Sequence, residues 1–175
     1  MIIVKREHLK SQSYIDLEEK WCAHNYQPIP VVLTRGEGVW LWDVDNNKYL
    51  DMMSAYSAVS HGHCNPKLLA VLKAQADRLS MCSRAYYTDV LPPFLQKLCE
   101  FTRMDRVLPM NTGAEAVETA IKAVRRWGYF VKKIPDNKAE IIVMASNFHG
   151  RTSGVISFSS EPSYKEGFGP FLPGF

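Results

Sequence analysis

Val107-Leu108-Pro109-Met110-Asn111-Thr112-Gly113-Ala114-Glu115-Ala116-Val117 is the stretch that decides the fold. Val107 to Met110 reads as a short buried strand and Asn111-Thr112-Gly113 as a turn. Val117, Ala120, Ile121, Val124 and Trp127 then recur at helical spacing, and Gly128 is expected to stop the helix. Further on, Ile141-Ile142-Val143-Met144 reads as a second buried strand, running into Ser146-Asn147-Phe148-His149-Gly150-Arg151. A strand, a helix and a strand in that order predict an α/β fold with a mostly parallel sheet.

Both strand ends carry possible chemistry. The first turn of a helix exposes unpaired N–H groups and the positive end of the macrodipole, so Gly113 and Ala114 could hold a phosphate. The plainer alternative is a capped helix start, with Thr112 as cap and Glu115 three residues on, a capping box. Past the second strand, Phe148 could stack on a planar ring and Arg151 could take a carboxylate in two-point fashion. A loop aromatic closing the core and a solvated arginine would explain the same residues.

Upstream, Pro92 and Pro93 open a helix with Leu95, Leu98 and Phe101 or Thr102 inward, and Asn65-Pro66 caps another that carries Leu68, Leu69, Leu72, Ala76 and Leu79. Ser54 to His63, small and polar around Tyr56, has neither the helical nor the strand period. Val39-Trp40-Leu41-Trp42 and Tyr49-Leu50 flank Asp45-Asn46-Asn47-Lys48 as a hairpin, with Gly36 and Gly38 marking the bend before it. The residues before that read as an approach segment, polar and acidic from Ser13 to Lys20, then extended through Trp21, Tyr26, Pro28 and Pro30. His61-Gly62-His63-Cys64 lacks the second ligand pair that structural zinc needs, so a loop before the helix cap explains it better than a metal site. No G-x-S-x-G elbow for a hydrolase is present.

The chain has 175 residues, 46% hydrophobic and 22% charged, a balance that excludes disorder and fits about one domain. The longest apolar runs, Leu68 to Leu72 and Ile141 to Ala145, are too short to span a bilayer. Basic residues number 21 against 18 acidic, with no dense patch, which argues against a nucleic-acid partner. Cys22, Cys64, Cys82 and Cys99 are scattered, as suits a reducing compartment. Met1 to Lys10 is too mixed in charge for a secretory signal. The cytoplasm is expected, or the mitochondrial matrix if a presequence is missing.

Taken in order, several segments resemble the class III pyridoxal-phosphate-dependent aminotransferases, most closely their ornithine branch. They are His24-Asn25-Tyr26-Gln27-Pro28, Val39-Trp40-Leu41-Trp42-Asp43, Ser54-Ala55-Tyr56-Ser57-Ala58-Val59 and Gly62-His63-Cys64-Asn65-Pro66-Lys67. The series continues with Ser83-Arg84-Ala85-Tyr86-Tyr87, Leu108 to Ala116, Asn147 to Thr152, and Gly167 to Phe175. Each piece alone is weak, but the ordered set is specific and covers the chain from about Glu18 onward.

The resemblance implies fold type I, here as an incomplete, mostly parallel sheet with helices and an N-terminal small-domain segment. Residues 1–60 would belong to the small domain, and 61–175 to the first part of the large cofactor-binding domain. In that fold, strands from later in the chain lie between the Val107–Met110 and Ile141–Met144 segments. The cofactor implied is pyridoxal 5'-phosphate, with its phosphate on Gly113 and Ala114 and its ring on Phe148. Tyr26, Tyr56 and Arg151 would hold the substrate, the arginine by its α-carboxylate. The implied reaction is transamination between ornithine and a 2-oxoacid by an enzyme that forms homodimers. The family's Schiff-base lysine and its pyridinium-pairing aspartate match nothing here, so no catalytic residue is expected within these 175 positions. The ending, with Phe168, Phe171 and Phe175 among Gly and Pro, reads as interrupted, with aromatics lacking a partner. Rival readings are another ω-aminotransferase acting on acetylornithine or 4-aminobutyrate, and a non-catalytic binding module. Tyr26 and Tyr56 together favour ornithine.

Overall fold

The computed structural model describes residues 10–175; Met1 to Leu9, most of the stretch judged against a secretory signal, lie outside the described residues. The chain forms two units, one through Tyr86 and one from Tyr87 to Phe175.

The first unit starts with helix α1, Ser11–Trp21, where the sequence reading has only an approach segment. The usual signals are missing: Lys10 makes no side-chain cap bond, and none of the helix's residues is buried. What supports it is local, including Gln12 Nε2 donating to Asp16 Oδ1 at 2.7 Å. Three antiparallel strands follow, β1 (Leu33–Glu37), β2 (Trp40–Asp43) and β3 (Lys48–Leu50), in the order β1-β2-β3. The β2–β3 hairpin lies where the sequence puts it. β1 corrects the reading of Gly36 as part of a bend, because Gly36 pairs with Leu41 and only Gly38, at φ 57°, turns the chain. One face carries interleaved cations and indoles, with the Arg35 guanidinium 3.6 Å from the Trp42 ring centroid and Lys48 Nζ 3.9 Å from that of Trp40.

The hairpin turn is organised by one buried carboxylate. Asp43 Oδ1 accepts from the Asp45 and Asn47 backbone N–H groups, and Oδ2 accepts from Asn47 Nδ2 and, at 2.6 Å, from the Tyr49 hydroxyl. Those bonds, the Tyr49 hydroxyl first, hold the Asp43 carboxyl below its usual range although burial opposes them. The same contact raises the Tyr49 phenol.

Beyond β3 come a short turn, α2 (Ser54–Ser57), and helix α3 (Pro66–Arg78). Asn65 caps α3 as its sequence predicts, its side chain accepting from Lys67 N at 3.0 Å. The predicted apolar face of α3 is present, yet Leu68, Leu72 and Leu79 are exposed among the described residues.

The second unit holds α4 (Leu91–Thr102), α5 (Gly113–Phe130), the short α6 (Ser153–Ile156) and a 3₁₀ turn at Pro162–Tyr164. On α4, Leu95 and Leu98 are half-buried as expected, but Phe101 faces out. Gly128 does not stop α5; the helix runs on to Phe130. Gly128 is buried there, and a Cβ would meet Ile134 Cδ1 at 3.3 Å, so the glycine serves close packing rather than termination. The core is Ile121, Val155 and Phe158, with Val117, Ile141, Val143 and Phe175 against it. This turns the buried side of α5 away from Val124 and Trp127, which stay about half exposed. Neither Val107–Met110 nor Ile141–Met144 carries a strand ladder among the described residues. Both have the composition of buried strands, but a ladder needs a partner on at least one side. The closing aromatics are less orphaned than their sequence suggests. Phe175 stacks on Phe158 at 4.5 Å between centroids, Lys165 Nζ lies 4.7 Å from the Phe171 ring, and Gly174 O accepts from Ile141 N at 2.9 Å.

Candidate active site

In the second unit the site is built on the start of α5. Thr112 Oγ1 accepts from Glu115 N at 3.1 Å, and Glu115 Oε2 reaches back to Asn111 N at 3.0 Å. This is the capping arrangement that the sequence allows, with the return bond shifted one residue outward. It does not exclude the phosphate reading. Glu115 N is taken by Thr112 and Ala116 N by the Thr112 carbonyl, while Gly113 and Ala114 stand in the first turn, where an N–H has no intrahelical acceptor. A Cβ on Gly113 would meet no atom within 4 Å, so the space on that side of Gly113 is open. Two free donors at the positive end of an 18-residue helix suit an anion.

The Phe148–Arg151 loop is docked onto that turn. Gly150 adopts φ 121°, which glycine alone takes readily, and a Cβ there would come within 2.9 Å of Ala114 Cβ. Thr152 Oγ1 donates to Glu118 Oε1 at 2.9 Å, one turn further along α5. The loop base is pinned by Asn147 Nδ2, which donates to the Met144 and Phe158 carbonyls. Phe148 leaves 61% of its surface exposed and makes a T-shaped contact with Tyr164 at 6.0 Å between centroids, so much of the ring remains available to a flat ligand. Arg151 is exposed.

The first unit carries the two tyrosines singled out in the sequence. Tyr26 and Tyr56 are 30 positions apart, yet their hydroxyl oxygens lie 3.3 Å apart, and both rings are exposed. Tyr56 sits in α2, where Ser54, Ala55, Tyr56 and Ser57 all have positive φ, from 45° to 73°. A left-handed conformation costs an L-residue about 1–2 kcal/mol, so four in succession must be held by their surroundings. Asp51 is the main support. Its Oδ1 accepts from Met53 N at 3.0 Å and Ser54 N at 2.9 Å, and its Oδ2 lies 2.6 Å from His63 Nε2. His63, followed by the Ser54 N–H, holds the Asp51 carboxyl below its usual range. The His63 backbone exchanges both hydrogen bonds with Gly38, which fixes the far side of the turn.

The structure thus brings Tyr26 to Tyr56, and joins the Gly113-Ala114 turn to the loop carrying Phe148 and Arg151. Sequence reasoning misses Asp51, Glu118 and Thr152. The only available signal was Asp51 standing three residues before Ser54, an Asx-type spacing that is common in ordinary turns. Among the described residues, no three His, Cys, Asp or Glu side chains converge as metal ligands, and no helix is long and apolar enough to cross a membrane.

Comparison with known proteins matches residues 21–175 to the family described as aminotransferase class-III. An ornithine aminotransferase from Brevibacillus brevis is 57% identical over 166 residues, covering 95% of this chain and 42% of the relative. The chain therefore spans about two fifths the length of the curated relatives it matches. The structure of the ornithine aminotransferase from Toxoplasma gondii superimposes with a TM-score of 0.93 at 40% identity, over 95% of this chain and 39% of that one. An acetylornithine aminotransferase from Elizabethkingia anophelis gives a TM-score of 0.78 at 53% identity, over 94% and 39%.

Proposed function

The chain belongs to the class-III aminotransferases, with their fold type I architecture, and from that premise we propose that it is part of an ornithine δ-aminotransferase. The reaction moves the δ-amino group of L-ornithine to a 2-oxoacid, giving glutamate 5-semialdehyde and an amino acid by ping-pong exchange. The observation that carries the ornithine reading is the Tyr26–Tyr56 pair, which places two hydroxyls side by side to hold a polar substrate.

The open N–H groups of Gly113 and Ala114 fit the phosphate of pyridoxal 5'-phosphate, and the exposed face of Phe148 fits its ring. When bound, that cofactor supplies the aldehyde and electron sink through which amino groups are exchanged. This chain's residues contribute position. Arg151 takes the α-carboxylate and Tyr26 and Tyr56 hold the substrate, which leaves the δ-amine as the group to react. We assign residues 1–60 to the small domain, 61–175 to the cofactor-binding domain, a homodimer to the intact enzyme, and the cytoplasm as its site. The four free cysteines support a reducing compartment.

The acetylornithine relative makes N-acetylornithine the informative competitor. With the intact enzyme carrying this chain, kcat/KM for ornithine should exceed those for N-acetylornithine and 4-aminobutyrate. Faster turnover of N-acetylornithine would overturn the ornithine assignment.

A further inference from the structure

We propose that Asp51 is a positioning residue for substrate recognition, acting through Tyr56 by holding the left-handed α2 turn in shape. The inference rests on the reading that Tyr56 contacts substrate. Asp51 does not reach outward itself. One carboxylate oxygen accepts the N–H groups of Met53 and Ser54, which lead into the turn, and the other faces His63 at 2.6 Å. Its side chain is 9% exposed and that of His63 21%, so the pair is sheltered inside the unit.

Bonds inside the loop add to this support, including Ser60 Oγ donating to Ser57 O at 2.7 Å. Tyr56 N donates to Met53 O at 3.0 Å and Val59 N to Ser54 O at 3.1 Å, both within the same loop. Asp51 is in turn tied to the β1–β2 turn, because its own N–H donates to Val39 O at 2.9 Å, one residue before β2. The path from the β1–β2 turn through Asp51 and Met53 to Tyr56 is therefore short and hydrogen-bonded. If Asp51 is lost, four residues without glycine are free to leave the left-handed region, and the Tyr56 hydroxyl moves with them. A displacement of about 1 Å in a group that orients substrate can cost about 100-fold in rate.

The test is a double-mutant cycle in the intact holoenzyme, following the ornithine and 2-oxoacid half-reactions separately. Asp51→Ala should lower kcat/KM for ornithine by about 10- to 100-fold, leaving cofactor content and the 2-oxoacid half-reaction within about twofold. Asp51→Asn keeps an acceptor for both N–H groups and should retain most of the rate. In a Tyr56→Phe background, Asp51→Ala should add little. An equal loss in both backgrounds, or in both half-reactions, would overturn the proposal. Should Asp51→Ala not accumulate as folded holoenzyme, Asp51→Ser, too short to span both N–H groups and His63, carries the same cycle. If Tyr56→Phe alone leaves ornithine turnover unchanged, the substrate reading fails and not the brace. The brace is then judged by the ¹⁹F resonance of 3-fluorotyrosine at position 56. Asp51→Ala should shift it and a second change, Ala55→Gly, should restore it, since glycine takes positive φ without strain. An unmoved resonance would sink the inference.

Discussion

Arg151 follows Gly150 directly, and the contact of Gly150 with Ala114 fixes where that guanidinium starts. A charge-assisted hydrogen bond to a carboxylate contributes about 1.5–3 kcal/mol. Replacing Arg151 by a neutral residue in the intact enzyme should therefore lower kcat/KM for ornithine by about 10- to 150-fold. Cofactor content should hold, because the phosphate site proposed above is at Gly113 and Ala114 instead. Turnover of putrescine, a diamine with no carboxylate, should hardly change. Equal losses for both substrates would show Arg151 to be supporting the loop instead. At this scale the sequence was readable for groups whose chemistry is local, such as Thr112 as cap with Glu115 three residues on, whereas it left Phe148 open between a stacking ring and an aromatic closing the core. It was silent on Asp51, since an aspartate before a turn acquires its role only when the chain returns His63 to it.

Among the elements, the β2–β3 hairpin has the clearest dependence on pH. Asp43 has a folded pKa below its ordinary value of 3.8, so its contribution is present above that value and is lost as pH falls through the folded one. Tyr49 is shifted above 10.0, so its contribution is present below that value and is lost as pH rises through the raised one. The protection of the Asn47 and Lys48 amides relative to their intrinsic exchange rates should therefore fall at both extremes in the intact enzyme. Asp43→Asn should remove the acid limb; an unchanged acid limb in that variant would place its origin elsewhere. The hairpin was legible because alternation and turn composition are contiguous. α1 was not, for it has neither a cap nor a buried stripe. β1 was hidden because Gly36 resembles punctuation until its partner, Leu41, is known. Val107–Met110 and Ile141–Met144 read as strands from composition, but laddering depends on residues distant in sequence.

For the whole molecule, the consequence is incomplete burial. Ile142 is 97% exposed and Phe101 84%, with Leu108 and Met144 also largely open. Exposed apolar surface of this extent, next to backbone without ladder partners, favours association over a cooperative fold. The 175-residue polypeptide made alone should bind a hydrophobic dye such as ANS, sediment as a heterogeneous population and melt without a sharp transition. A monomer with a cooperative thermal transition would contradict this.

The division of labour between the two units has an evolutionary consequence. Tyr26 and Tyr56 belong to the unit that ends at Tyr86, whereas Gly113, Ala114, Phe148 and Arg151 belong to the one that starts at Tyr87. On the proposed reading, substitutions around the tyrosines change which amine donor is accepted and leave untouched the Thr152–Glu118 and Asn147 hydrogen bonds that hold the Phe148–Arg151 loop. Under that proposed division, substrate choice and cofactor anchoring can change by separate substitutions.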